Sequence, residues 1–216
     1  MVHRNFAETN FLTKNKAMYT LKIVTAEDEL KEIFKLRYRV QVEELGRAAY
    51  LGDILDHVNK ELIEPIDESS INMGAYRHGQ LVGCIRLSLN NSDYFTDYRA
   101  MLGMDDFAGP QPDKYCFASR LVVDPKLRHS RVNLLLMLFC FEIAVANKQQ
   151  FCFIECVDGL TNYYRKYGFQ AYTDKSTLTG YGVLKRLVFD LRKIDHLKEI
   201  HSPFLGILGM AYAEAA

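Results

Sequence analysis

The segment from Tyr115 to Phe169 constrains the fold more than any other. It reads as a strand at 116–123, a basic turn Asp124-Pro-Lys-Leu-Arg-His-Ser-Arg131, an apolar helix at 132–148 and a second strand at 151–157. A short helix comes after it, ending in Tyr163-Tyr-Arg-Lys-Tyr-Gly-Phe169. Two apolar strands flanking one helix make a right-handed βαβ unit the simplest topology. A strand that runs into a cationic turn opening a helix is also a place to hold a phosphate. The helix start offers unpaired N–H groups and the positive end of its dipole.

Around this unit the chain reads as further strands and one amphipathic helix. Residues 1–18 are polar and irregular and are expected to form an N-terminal arm; 19–24 alternates as a strand. Thr25 with Asp28 suggests a capping box opening a helix over 26–44. Its inward stripe is Leu30, Ile33, Phe34, Arg37, Val40 and Glu44, with Gly46 as C-cap. Arg37 on that stripe needs a carboxylate or a ligand, because an unpaired buried cation is costly. Residues 47–60 read as a connection with room for one short helix, and Glu64-Pro-Ile-Asp67 leads into a turn. Strands are expected at 72–77 and 81–89, joined by His78-Gly79-Gln80, then a long polar and aromatic connection at 90–114. The last strands are expected at 170–174 and 184–191. The sum is an α/β (α+β) chain with a mixed, mostly antiparallel sheet, one parallel pair and helices on both faces.

Size and composition exclude several function classes. At 216 residues the chain is most simply a single domain over 1–216, with 49% hydrophobic and 25% charged residues. Net charge is zero, so nucleic acid is not an expected partner. Five cysteines without C-x-x-C spacing, and histidines without ligand spacing, favour neither a disulfide framework nor a metal. The cysteines read instead as buried thiols of a cytoplasmic protein. Met-Val-His-Arg-Asn-Phe at the start has no apolar signal region, and no apolar run reaches the roughly 18 residues of a membrane span. The apolar tail at 196–216 reads as a packed terminus or a homodimer contact.

Strand, turn, helix, strand and closing tyrosine motif together resemble the core of the GNAT superfamily of acyltransferases. The residues that carry this are Val123-Asp-Pro125-Lys-Leu-Arg128 and Tyr164-Arg-Lys-Tyr-Gly168-Phe169. The resemblance covers nearly the whole chain and implies acyl transfer from a phosphopantetheine thioester to an amine. It implies a donor site at Leu121, Val122 and Val123 and around the turn at Arg128, His129, Ser130, Arg131, Val132 and Asn133. The family's loop carries glycines; Arg128-His-Ser-Arg131-Val-Asn133 has none, so backbone cannot approach a pyrophosphate as closely. That departure argues against coenzyme A as donor.

A narrower resemblance runs through Arg37-x-x-Val40, Leu45-Gly46, Asp67, Arg86-Leu87 and Ser119-Arg120. Their order is similar to that in the acyl-homoserine lactone autoinducer synthases and the long-chain N-acyl amino acid synthases. It implies an acyl carrier protein as donor partner, which suits a turn holding Lys126, Arg128, His129 and Arg131, since carrier proteins are acidic. Gln41 and Arg47 stand where the autoinducer synthases have aromatics, the acidic motif survives only as Glu64-Pro-Ile-Asp67, and Phe117 replaces a glutamate. These departures favour N-acylation of an amino acid over lactone synthesis from S-adenosylmethionine. A non-catalytic thioester-binding module is the reading from another class.

The resemblance assigns roles. Glu64 and Asp67 would orient or deprotonate the amine, backbone N–H groups at 121–123 would polarise the carbonyl, and Tyr164 would protonate the leaving thiolate. Arg37, Arg86 and Arg120 would hold the acceptor. No tightly bound cofactor is implied, only acyl-phosphopantetheine as co-substrate. Internal pairing accounts for the same charges: Asp67 with Arg37 or Arg120, and the strand arginines with Asp67 or Glu155. Glu155 interrupts an apolar strand, and solvent exposure at the strand end is its simpler explanation. The apolar helix reads as core, with Phe117, Met137, Cys152 and Phe153 as alternative wall of an acyl pocket.

Overall fold

The computed structural model describes residues 18–108, 112–180 and 182–207. The chain begins with β1 (Thr20–Val24), α1 (Glu27–Tyr38), a π-helical turn (Arg39–Glu44) and α2 (Ala48–Leu51). A small hairpin, β2 (Leu55–Asp56) with β3 (Glu61–Leu62), precedes a 3-10 turn (Pro65–Ser69). Next come β4 (Ile71–Arg77), β5 (Gln80–Leu89), α3 (Asp93–Leu102), α4 (Met104–Ala108) and β6 (Tyr115–Val123). The chain continues through α5 (Val132–Ala146), β7 (Phe151–Val157), α6 (Thr161–Arg165), β8 (Gln170–Thr179), β9 (Gly182–Asp190) and α7 (Ile194–Glu199).

Seven strands form one sheet in the order β1-β4-β5-β6-β7-β9-β8. Its β6–β7 pair is parallel and the other neighbouring pairs are antiparallel, as the sequence implied. A parallel pair needs a long crossover, and α5 supplies it. The pleat then sorts side chains to two faces. Cys116 and Ala118 of β6 and Cys152 and Ile154 of β7 turn to the face that packs α5. Tyr115, Phe117, Phe151 and Phe153 turn to the opposite face, under α3 and α4. Farther along the second face, Ile33 and Leu36 of α1 and Val40 of the π-helical turn pack against Val24, Cys84 and Val122.

One irregularity positions the site. Between Cys84↔Val122 and Arg86↔Ser119, β6 carries one residue more than β5. Such a β-bulge breaks the alternation of side chains. Arg120 sits in the bulge with φ +54°, a backbone cost of order 1 kcal/mol for a residue other than glycine. The extra residue puts Ser119 and Arg120 beside Arg86 on the second face, and moves Leu121 and Val123 to the α5 face. Gly168 meets a different constraint. Its φ is +113°, and a Cβ there would lie 2.6 Å from Leu197 and 2.9 Å from Phe189, so the Tyr-Gly-Phe turn closes only with glycine.

Several expectations need correction. The Thr25–Asp28 capping box does not form: the N-cap is Ala26 with no side-chain bond, and Glu27, Asp28 and Glu29 complement the helix start instead. The helix expected over 26–44 turns π-helical at Arg39. The connection at 90–114 contains α3 and α4, opened by Ser92 accepting from Phe95 N–H at 3.3 Å. Strands β8 and β9 run farther than expected, to Thr179 and from Gly182. All five cysteines are free and buried. The tail packs Phe204 and Ile207 into the α5-side core; residues 208–216, and 1–17 of the expected arm, lie outside the described residues.

Candidate active site

The parallel ladder ends at Phe117↔Phe153, although both strands continue, β6 to Val123 and β7 to Val157. The strands therefore part, and a cavity of about 370 Å3 lies in the opening. Its wall changes character across the sheet. Ile85, Met137, Phe141, Ile154 and Phe169 make an apolar part against α5, while Glu64, Arg86, Tyr98 and Arg120 make a polar part on the other face. Gln41 of the π-helical turn and Arg47 stand at it too, with Arg47 Nη1 donating to Gln41 Oε1 at 2.7 Å. A π-helical turn re-aims side chains from a regular helix, and such turns gather at functional sites. Of the side chains expected as alternative wall of an acyl pocket, Phe117 and Met137 line this cavity; Cys152 and Phe153 pack in the cores on either face.

The polar wall is a buried lattice of arginines and carboxylates. Glu64 accepts from Arg86 Nη1 at 2.7 Å, Tyr98 OH at 2.9 Å and twice from Arg120, at 2.5 and 2.6 Å. Arg86 also donates through Nε to Ser119 Oγ at 3.0 Å and lies 3.2 Å from Asp67 Oδ1. Behind it Arg37, 0% exposed, donates to Asp67 Oδ1 at 2.9 Å and to Asn72 Oδ1 at 2.5 Å. Asp67 Oδ2 accepts from Glu64 N–H at 2.9 Å, so the backbone of the Pro65–Ser69 turn is tied into the lattice. Burial alone would raise both carboxyls. For Glu64 the bonds and charges of Arg120 and Arg86 outweigh it, for Asp67 those of Arg37 and Arg86, and both stay below the ordinary carboxylate range.

These positions revise the expected acceptor site. Glu64, Arg86 and Arg120 line the cavity; Arg37 and Asp67 do not, being the buried layer that braces them. The pairing of Asp67 with Arg37 was legible in the sequence, because Arg37 sits on the inward stripe of its helix. Tyr98 was not, because it comes from α3. Ser92 before it and Gly103 after it, the latter at φ +64°, are the cap residues that mark such a helix.

Tyr164 lines the cavity from α6, edge-on to Tyr163 and Phe169, and burial pushes its phenol well up. Leu121 also lines it, whereas Val122 is buried against α1 and Val123 pairs with Gly83. At the turn Lys126, Arg128, His129 and Arg131 are exposed or half-exposed, and Arg131, the N-cap of α5, gives no side-chain cap. Ser130 Oγ accepts from Val132 N–H at 3.3 Å, and Asn133 Nδ2 donates to Tyr163 OH at 2.5 Å. Arg128 grips Glu44 through its two terminal guanidinium nitrogens, at 2.5 and 2.6 Å, and Arg39 holds Asp124 at 2.8 Å. Among the described residues no cluster of metal-binding side chains occurs, and no helix is long and apolar enough to cross a membrane.

A mostly antiparallel sheet with one parted parallel pair, a cationic turn at a helix start and a cavity between the parted strands define an acyltransferase of GNAT-like architecture. The model of the family described as "N-acyl amino acid synthase FeeM" matches residues 32–187, and the chain belongs to that family. No curated protein sequence matches it. Among solved structures, FeeM itself, an N-acyl amino acid synthase from uncultured soil microbes, aligns at TM-score 0.65 and 13% identity, over 87% of this chain and 97% of its own. BjaI, a CoA-dependent acyl-homoserine lactone synthase with MTA, aligns at TM-score 0.65 and 17% identity, over 91% and 99%. TofI, in a ternary complex with an inhibitor and MTA, aligns at TM-score 0.65 and 14% identity, over 88% and 99%. At these identities the likeness is one of fold.

Proposed function

We propose that the protein moves an acyl chain from the phosphopantetheine thioester of an acyl carrier protein to the amine of an amino acid or similar small amine. The observation that carries this is the two-sided cavity between the parted strands, apolar toward α5 and lined by arginines on the other face. An acyl chain suits the first side and a carboxylate-bearing acceptor the second. In the lattice three arginines, Arg37, Arg86 and Arg120, face two carboxylates, Glu64 and Asp67, leaving one positive charge in excess. The exposed cations of the turn suit an acidic carrier protein better than a buried pyrophosphate.

In this reading the arm's phosphate rests at the start of α5, near Ser130, Arg131, Val132 and Asn133, with Arg128 and His129 meeting the carrier protein. The thioester carbonyl lies against the backbone at Leu121, whose N–H polarises it as Val122 and Val123 hold the strand in place. Arg120 and Arg86, fixed by Glu64, orient the acceptor, while Arg37 and Asp67 keep that lattice rigid. Tyr164 protonates the departing thiolate: a phenol raised by burial stays protonated at neutral pH and is available as an acid.

The test mixes purified protein with carrier protein bearing C8–C16 chains and a pool of amino acids, with or without S-adenosylmethionine. Mass spectrometry of the extract is expected to show N-acyl amino acid. A lactone formed only with S-adenosylmethionine would instead establish autoinducer synthesis, and equal turnover of acyl-coenzyme A would overturn the donor assignment. Tyr164→Phe is expected to lower kcat by about 10²-fold with little change in KM, the range for a lost general acid.

A further inference from the structure

Two carboxylates line the cavity, and their surroundings differ. Glu64 accepts hydrogen bonds from Arg86, Tyr98 and Arg120, leaving it little capacity to take a proton. Glu155 lies two residues past the last position of β7 that pairs with β6, where those two strands have parted, while it stays paired with Arg186 of β9 on its other side. Among the described residues it has one cation at hand, Arg186 across the β7–β9 ladder, at a loose 3.5 Å from Nε. The pleat of β7 places Glu155 with Phe151 and Phe153, on the face that carries Arg120 and Tyr98. Tyr164 and Cys156 belong to the α5 side. A proton acceptor and a proton donor thus stand on opposite faces of one opening.

We infer that Glu155 is the catalytic base, taking the proton from the acceptor's ammonium group as the amine meets the thioester. This rests on the acyl-transfer reading above. One N–H proton passes to the Glu155 carboxylate, and the freed nitrogen lone pair forms the C–N bond at the carbonyl carbon. The C–S bond then breaks, its electron pair leaving with sulfur, which takes the Tyr164 proton. The second N–H proton restores Tyr164, the amide keeps the third, and Glu155 returns its proton to water. The products are amide, free pantetheine thiol and one proton, with no other reactant needed.

The groups around Glu155 agree with this role. Burial raises its carboxyl above the ordinary value, and Arg186 on β9 counters only part of that. Cys156 beside it in the chain and Tyr172 on β8 also lie within reach of its charge, and Tyr164 on α6, Glu64 and Arg120 line the same cavity. A carboxyl moved toward neutrality from below is better matched to accepting an ammonium proton than one held low by arginines.

The experiment tracks thiol release by wild type and Glu155→Gln, with carrier-protein thioester and an amino acid across pH 5–9. The variant is expected to lose about 10²–10⁴-fold in kcat while acceptor KM moves less than about threefold. Its deficit should shrink at least tenfold with a hydrazide acceptor, whose nitrogen is already unprotonated at pH 7. Arg186→Met, which leaves the carboxylate in place without its cation, should shift the acid limb of kcat/KM to higher pH. Equal kcat and pH profile in wild type and Glu155→Gln would overturn the inference. So would an equal deficit with the hydrazide, or an unmoved acid limb in Arg186→Met. A wild type inert toward every amine would overturn the acyl-transfer reading beneath it.

Discussion

The molecule holds two sets of arginine–carboxylate pairs, one buried beside the opening and one at the cationic turn, and they do different work. The Arg37–Asp67 and Arg86–Glu64 pairs have side chains no more than 6% exposed. In the turn set, Arg128–Glu44 joins side chains 40% and 31% exposed, and Arg39–Asp124 joins ones 52% and 22% exposed. Coulomb's law is the same for both, but water screens the second set and is excluded from the first. A buried pair broken on one side leaves a charge with nowhere to go; an exposed one is re-solvated. The buried set therefore belongs to the fold and the shape of the cavity's polar wall, and the turn set is free to exchange partners.

Substitutions can break that contrast, and the largest effect is expected at Arg37. Arg37→Ala removes the Arg37 hydrogen bonds to Asp67 and Asn72, leaves Asp67 with Arg86 as its one cation among the described residues, and should lower unfolding free energy by about 3 kcal/mol, read from the denaturant midpoint. Acid comes next. Glu64 and Asp67 have native pKa values below their unfolded ones, so the stability they add is present above about pH 4 and is lost as pH falls through the native values. Thermal midpoints should thus drop steeply below about pH 4, and Glu64→Gln, already destabilised, should show a shallower slope. At the turn, Arg128→Ala should change stability by less than about 1 kcal/mol in the same unfolding measurement. Glu44→Gln should change it even less, yet lower KM for the carrier protein severalfold at low salt by releasing Arg128; an effect that survives high salt would contradict screening.

How much of this could be read from residue order depends on whether the signal was local. The strand at Phe151–Val157 and the start of α5 at Val132 fall where the apolar run and the turn chemistry put them. Arg37 was legible as inward-facing because helical spacing determines direction. That it stops at Asp67 and Asn72 without reaching the cavity is a matter of depth, which only packing decides. Helix α3 and its Tyr98 were hidden by a polar, aromatic composition with no clear period. Glu155 was visible as an interruption in an apolar strand, but its place in the opening depends on where β6 and β7 part. That parting begins at Phe117, just before the β5–β6 bulge, and both are matters of pairing between strands that neither strand shows alone.

The bulge at Arg120 also says what kind of change this strand can tolerate. Substituting a side chain there alters one neighbour. Removing a single residue between Ser119 and Val122 would restore regular alternation and exchange the two faces for the remainder of β6, sending Val122 away from α1 and Leu121 away from α5. Chain length at this point, more than amino-acid type, is what an engineer or a drifting lineage must leave alone.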